Sequence, residues 1–154
     1  RRSSDLSPRR RPPRPQKPTR VAPVLAGDQL TPADSARLGR AIRIAEEASG
    51  FAFSVFLTTA ADDSRAYALR LHGSLDEPDR SVLVLCDPGE RVLEIVTGRA
   101  ARRALTDRVC ALAAATMRSS FVAGDVVGGL ENGLAQLGVA GRQPPTLHSH
   151  TGDE

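Results

Sequence analysis

Two apolar segments separated by turn residues constrain the fold of this chain more than any other feature. Residues 80–86 (RSVLVLC) and 91–97 (RVLEIVT) are rich in β-branched and aliphatic side chains, and residues 87–90 (DPGE) between them have turn composition. This pattern predicts a β-hairpin. A third segment, residues 51–58 (FAFSVFLT), places apolar side chains on both faces, as a central strand covered on both sides does. We therefore expect a small sheet.

Helical segments surround these strands. Thr31 and Pro32 begin the first helix, because Thr caps free backbone amides and Pro is tolerated at the first helical position, and Gly50 ends it. Further helical segments are predicted at residues 62–75, 100–105, 107–120 and 125–137. Leu69 and Leu112 are among the side chains expected on the buried helix faces.

The order of these elements, α-β-α-β-β-α-α, predicts the fold class. It indicates an α/β fold, a three-layer α-β-α sandwich with a small mixed sheet of three or four strands. The β-α-β connection is expected to be parallel and right-handed, and the hairpin adds an antiparallel strand.

Charge and composition divide the chain into three regions. Residues 1–26 carry seven Arg and one Lys against one Asp, a net charge of +7, and their prolines predict a disordered basic Pro/Arg-rich tail. Residues 27–140 are expected to form the folded domain, and residues 141–154 a polar C-terminal tail. Because residues 27–154 carry 13 Arg against 17 Asp and Glu, a net charge of −4, no specific nucleic acid binding is expected. The basic tail is either a solubilising linker or an arm making weak anionic-surface contact through residues 1–20.

Targeting signals and cysteines bear on the expected compartment. The sequence has no apolar run of membrane-spanning length and no apolar signal segment, so the expected location is cytoplasmic. The chain begins with Arg1 rather than Met, so a membrane-associated protein, or one exported after loss of an upstream segment, is the alternative. Cys86 and Cys110 lie in apolar runs and are interpreted as free core thiols, with a disulfide between them as the alternative.

Motifs for nucleophilic catalysis and nucleotide binding are missing from the sequence. It contains no nucleophile elbow, no Cys with a suitable His partner and no glycine-rich phosphate loop. His72, His148 and His150 all lie in surface-type contexts. The last two, with the acidic residues that follow them, fit either a terminal polar tail or a transition-metal site.

Carboxylates are the best candidate ligands, and four of them lie at the start or end of a predicted element: Asp79, Asp87, Asp107 and Asp125. Asp79, Asp107 and Asp125 could together hold a hard cation, calcium or magnesium, through oxygen ligands. Asp107 and Asp125 are equally well explained as helix N-caps. Gly124, Gly128 and Gly129 fit either close helix packing or a backbone kept open beside a ligand.

Several segments occur in the order typical of one known domain family. They are LTPADSARLGRAIRIAEEASG before a Phe/Val strand, Tyr67-Ala68 in the next helix, VLVL and VLEIVTGR in the hairpin, ALTD at residues 104–107, and FVAGDVVGGLENGL. The sequence from Leu30 to Leu137 thus resembles the TPM domain of thylakoid-lumen photosystem-repair proteins and bacterial envelope proteins. It is still more similar to a small group of bacterial domains of unknown function allied to TPM domains.

This resemblance implies an α/β sandwich, and in some members a calcium ion in a groove at one end of the sheet. It places Asp107 and Asp125 on recurring acidic positions and Asp79 before the second strand, although Arg80 and Ser81 stand where the family commonly has Gly. Phosphatase activity has been proposed for some TPM domains. The expected function is therefore a non-enzymatic binding or scaffold domain with an unknown protein partner, able to bind a divalent cation. The alternative is a metal-dependent acid-type phosphomonoesterase.

Overall fold

The computed structural model describes residues 30–59 and 62–142. The predicted N-terminal tail, most of the predicted C-terminal tail, and the histidines at positions 148 and 150 lie outside these residues. The elements are α1 (Pro32–Ser49), β1 (Ala52–Leu57), α2 (Ser64–Gly73), β2 (Ser81–Asp87), β3 (Val92–Thr97), α3 (Asp107–Val122) and α4 (Val126–Ala140), with 3₁₀ turns at Pro78–Arg80 and Ala101–Arg103. This order confirms the predicted α/β fold. The turn at Pro78–Arg80 was not predicted as an element of its own.

The sheet has three strands in the order β1-β2-β3. β1 and β2 are parallel, with Phe53 opposite Val82, and β2 and β3 are antiparallel, with Val84 opposite Ile95. The mixed sheet is as predicted, because a hairpin joins β2 to β3 and α2 supplies the crossover between the parallel strands. The hairpin turn comprises residues 88–91, one residue later than predicted, since Asp87 belongs to β2.

Side chains of β2 alternate between two cores, which makes the fold three-layered. Val82, Val84 and Cys86 enter the larger core, to which α1, α3 and α4 contribute. Leu83 and Leu85 enter a smaller core with Ala68 of α2. The sheet therefore lies between α2 on one face and three helices on the other.

Helix α4 lies between α1 and α3 in the three-helix layer. Gly138 of α4 lies against Ala45 of α1, and Gly133 lies against Met117 of α3. The absence of side chains at these glycines allows the helix axes to approach closely. Arg37 contacts Glu131 near the start of α1, and Ala45 contacts Gly138 farther along both helices, so α1 and α4 are parallel. Helix α3 is antiparallel to both, because Gly129 of α4 lies against Ser120 and the later Gly133 lies against the earlier Met117.

Three core predictions are wrong. Leu69 is 49% exposed and Leu112 is 60% exposed. His72, predicted at the surface, is buried, with Nε2 3.0 Å from the carbonyl oxygen of Ser81. Helix α2 buries Ala68 and His72, one turn apart, because the small Ala68 lets the helix approach the sheet. Among the described residues, no helix has the length and hydropathy needed to cross a bilayer.

Candidate functional site at the carboxyl edge of the sheet

The parallel strands β1 and β2 end at the same edge of the sheet, near Leu57 and Asp87. We call this the carboxyl edge. In α/β folds, ligands commonly bind in the crevice outside the carboxyl ends of parallel strands. Polar side chains at this edge are therefore the best-placed candidates for a ligand site.

Asp87, the last residue of β2, is the unusual side chain at the carboxyl edge. It is only 6% exposed. Its Oδ1 accepts a hydrogen bond from the backbone amide of Glu90 in the hairpin turn, at 3.2 Å. Its Oδ2 is also buried and has no hydrogen-bond partner in the structure. By strand alternation this carboxylate lies on the same face as Leu83 and Leu85, the face covered by α2.

A buried carboxylate oxygen without a partner is energetically costly. Burying a polar group without a hydrogen bond costs about 1–3 kcal/mol by mutational measures, and more when the group is charged. Nearly all buried polar atoms in folded proteins have partners, so Asp87 Oδ2 is exceptional among the described residues. Asp87 Oδ2 is thus suited to accept a hydrogen bond or to coordinate a cation.

Other polar side chains near the start of α2 already have partners. Asp63 caps α2 by accepting a hydrogen bond from the amide of Ala66 at 3.0 Å. The Ser64 hydroxyl donates to the carboxylate of Glu94 on β3 at 2.8 Å. Arg65 donates to the Ile95 carbonyl at 3.1 Å and approaches Glu94 at 3.5 Å. These contacts fasten α2 to the edge strand and serve the fold.

The structure places the three sequence-predicted metal ligands in different surroundings. Asp79 is exposed in the 3₁₀ turn before β2, where its carbonyl oxygen accepts a hydrogen bond from Ala100 at 2.8 Å. Asp107 is the exposed first residue of α3. Asp125 is the N-cap of α4, and its Oδ1 accepts a hydrogen bond from Gly128 at 2.9 Å.

The capping interpretation is correct for Asp125 and wrong for Asp107. The cap of α3 is Thr106, whose hydroxyl oxygen accepts a hydrogen bond from the amide of Val109 at 3.3 Å. Asp107 follows the cap, where its charge still favours the positive end of the helix dipole. Both residues therefore have a structural role.

Helix α3 separates Asp107 from Asp125. A helix of 16 residues is about 24 Å long at 1.5 Å per residue, and the two aspartates flank its opposite ends. Asp125 lies toward the carboxyl edge, because Arg118 in the last turns of α3 reaches the carbonyl of Leu93 at 3.4 Å. Asp79 lies at the opposite edge, where β2 begins. Within residues 30–59 and 62–142, no three His, Cys, Asp or Glu side chains form a group that could hold a metal ion.

The two glycines after Asp125 pack closely. A side chain at Gly128 would collide with the capping carboxylate of Asp125, and a Cβ at Gly129 would lie 2.7 Å from the Cβ of Ser120. The packing interpretation therefore accounts for Gly128 and Gly129. It is wrong for Gly124, where a Cβ would meet nothing within 4 Å and the φ of 88° favours glycine instead.

Both thiols are free and poorly suited to nucleophilic chemistry. Burial, and secondarily the neighbouring Asp87, raises the pKa of Cys86 to about 12. Burial, and secondarily Asp107, also raises the pKa of the half-buried Cys110. Because the thiolate is the reactive form, cysteine catalysis at neutral pH is disfavoured.

An ion pair connects α1 to α4 in the helical layer. Arg37 donates two hydrogen bonds to the carboxylate of Glu131, at 3.0 and 2.6 Å. This contact raises the pKa of Arg37, with smaller contributions from Asp34 and Asp125. The charge of Glu131 is therefore already matched within the domain.

Comparison with protein families and curated proteins gives relatives without an assigned role. A family model described as a domain of unknown function matches residues 22–139. Two uncharacterised proteins of Mycobacterium tuberculosis, from strains CDC 1551 / Oshkosh and H37Rv, are each 29% identical to this chain over 105 residues. The match covers 68% of this chain and 63% of each relative, so the chain spans less than two thirds of their length.

Solved structures share the fold at low sequence identity. The BA42 protein of the psychrophilic bacterium Bizionia argentinensis is 18% identical, with a TM-score of 0.67, covering 75% of this chain and 83% of that protein. The N-terminal domain of a P. gingivalis protein is 17% identical, with a TM-score of 0.68 and coverage of 79% and 80%. The N-terminal domain of the Corynebacterium glutamicum cg2496 protein is 17% identical, with a TM-score of 0.63 and coverage of 94% and 95%.

Proposed function

Because this chain belongs to the family described as a domain of unknown function (DUF5130), we propose a role from its own residues: it is a non-enzymatic, TPM-like binding domain that holds a divalent cation at the carboxyl edge through Asp87. The observation that carries this proposal is the buried Oδ2 of Asp87, which lacks a hydrogen-bond partner. The TPM-like assignment rests on the sequence resemblance.

The chemistry of Asp87 favours a hard cation. Calcium and magnesium bind carboxylate, carbonyl and water oxygens, and calcium accepts irregular ligand sets. Asp87 would be the anionic ligand, with backbone oxygens and water completing the coordination shell. Since few anionic ligands imply low affinity, we expect a dissociation constant on the order of 10⁻⁴ to 10⁻³ M.

The phosphomonoesterase alternative requires Asp79, Asp107 and Asp125 to act on one ion. The length of α3 and the separation of the sheet edges lend no support to such a shared site. The same set of variants tests both proposals, because they assign the cation to different carboxylates.

The test is calorimetric titration of the full chain with calcium and with magnesium, repeated on Asp87→Asn. This substitution removes the charge and leaves an oxygen to accept the hydrogen bond from Glu90. The matched controls are Asp79→Asn and Asp107→Asn, which remove a charge at the opposite edge. We expect saturable heat for the native chain and both controls, and its loss in Asp87→Asn.

Two results would contradict this assignment. Undiminished binding in Asp87→Asn would place the cation elsewhere, and the absence of saturable heat in the native chain would remove the cation from the proposal. A chelator-sensitive phosphomonoesterase activity lost in Asp125→Asn would favour the enzymatic alternative. Circular dichroism of each variant would establish that it is folded.

A further inference from the structure

The outer surface of the three-helix layer carries an exposed apolar strip. Its three large side chains are Ile44 of α1, Leu112 of α3 and Val139 of α4, which are 58%, 60% and 62% exposed. Ala135 of α4 lies between them, in the groove that α4 forms with α3 and also in the groove that it forms with α1. We call these four residues the apolar belt. The α3–α4 groove has a volume of about 470 Å³.

The shape of the surface at the apolar belt follows from the sizes of its side chains. Ala135 forms a depression on the outer face of α4, and Leu112 and Ile44 form a ridge on either side. None of the three large side chains belongs to either buried core. Large apolar side chains left exposed on three adjacent helices, beside two grooves, indicate an interaction site.

The charges beside the belt indicate the chemistry of its partner. Arg40 lies one turn before Ile44 on α1, and Arg108 lies one turn before Leu112 on α3. In the described part of the chain neither arginine has an ion-pair partner, whereas Glu131 is already paired with Arg37. Among the described residues within one turn of the belt, the exposed Arg142 follows Val139 and the exposed Glu47 follows Ile44. Three arginines against one carboxylate leave the unpaired charge beside the belt net positive, which is complementary to acidic side chains.

The helix directions place these two charges on opposite sides of the belt. Because α1 and α3 are antiparallel, Arg40 is displaced from Ile44 toward one end of the helical layer. Arg108 is displaced from Leu112 toward the other end. From α3 across α4 to α1 the belt spans two interhelical spacings of about 8–10 Å each, roughly 18 Å. This distance corresponds to about 12 residues of α-helix at 1.5 Å per residue.

We propose that the apolar belt binds an amphipathic protein helix of about three turns, whose apolar stripe is flanked on opposite edges by acidic residues. The helix lies across α3, α4 and α1, with apolar side chains spaced three and four residues apart filling the depression at Ala135. Its acidic residues pair with Arg40 at one end and Arg108 at the other. A second copy of this chain fits less well, because it would bring the same unpaired arginines to the interface.

The test uses two fluorescein-labelled peptides and the full chain. Both are 14-residue helical peptides with the same leucine stripe, one flanked by Glu and the other by Lys. Fluorescence anisotropy is expected to show saturable binding of the Glu-flanked peptide, at least tenfold tighter than binding of the Lys-flanked peptide. Leu112→Gln and Val139→Gln should each weaken it at least fivefold, and Arg40→Glu with Arg108→Glu should reverse the preference.

The control is Leu69→Gln, which replaces a leucine of similar exposure on α2, across the sheet from the belt. It should leave peptide affinity unchanged. Equal affinity for the two peptides, no saturable binding, or an equal loss in Leu69→Gln would overturn the proposal. So would a native dimer in analytical ultracentrifugation that Leu112→Gln dissociates, because a second copy would then cover the belt.

Discussion

Replacing Gly138 with Ala should destabilise the domain by separating α4 from α1. A Cβ at this position would lie 2.8 Å from the Cα of Ala45 and 3.1 Å from its Cβ, whereas ordinary contacts begin at 3.4 Å. The Cα of Ala45 is backbone and cannot rotate away, so the helices must move apart by about 0.6 Å. Overpacking of this kind costs about 1–3 kcal/mol.

Helix propensity partly offsets this cost. Ala is favoured over Gly inside a helix by up to about 1 kcal/mol, so the expected net loss for Gly138→Ala is about 1–2 kcal/mol. At roughly 4–8 °C per kcal/mol for a domain near this size, Tm should fall by about 4–16 °C. Thermal and urea unfolding, followed by circular dichroism, would measure both quantities.

Two other glycines provide comparison variants for Gly138→Ala. A Cβ at Gly73 in α2 would meet nothing within 4 Å, so Gly73→Ala should leave stability unchanged or slightly higher. The three atoms nearest to a Cβ at Gly133 would all belong to the side chain of Met117, which is fully buried, so Gly133→Ala should also destabilise the domain. If Gly138→Ala proves as stable as Gly73→Ala, the spacing of α1 and α4 is not set by this glycine and the reasoning fails.

Two further predictions concern the sheet and its hairpin. Burial raises the pKa of Cys86 from 9.0 to about 12, so above pH 9.0 the thiol ionises more readily in the unfolded chain than in the folded one. The stabilisation contributed by the neutral buried thiol is therefore complete below pH 9.0 and is lost as the pH rises toward 12. Urea unfolding at about pH 8 and about pH 10.5 should therefore show a larger loss for the native chain than for Cys86→Ala, and equal losses would contradict the assigned pKa. Arg91 has a φ of 61°, so Arg91→Gly should raise the free energy of unfolding by up to roughly 1 kcal/mol, while Glu90→Gly, without a positive φ to relieve, should lower it. Equal effects of the two substitutions in thermal unfolding would refute this explanation.

The order of the helices and strands could be predicted from the sequence because the signals for it are local. Thr31, Pro32 and Gly50 mark the ends of α1, and the structure places Thr31 at the N-cap and Gly50 at the C-cap, with a φ of 82°. The hairpin follows from two aliphatic runs and the turn residues between them. Each of these signals depends on neighbours within a few residues, which the sequence displays directly.

Burial of individual helix residues was harder to predict, because it depends on which elements pack against each helix. Leu112 follows the periodicity of a buried residue, yet α4 covers only part of the surface of α3 and leaves Leu112 exposed. His72 has surface-type neighbours in sequence, yet the approach of α2 to β2 buries it and pairs its ring with the backbone of Ser81.

The sequence by itself determined the α-β-α-β-β-α-α order and the hairpin, since each rests on contacts close along the chain. Only the tertiary structure decided that Asp107 and Asp125 lie at opposite ends of α3 and that the Oδ2 of Asp87 is buried without a partner. It also decided that three helices bring Ile44, Leu112 and Val139 onto one exposed surface. The physical reason is that a ligand site or an interface depends on distances between residues far apart in sequence, and packing sets those distances.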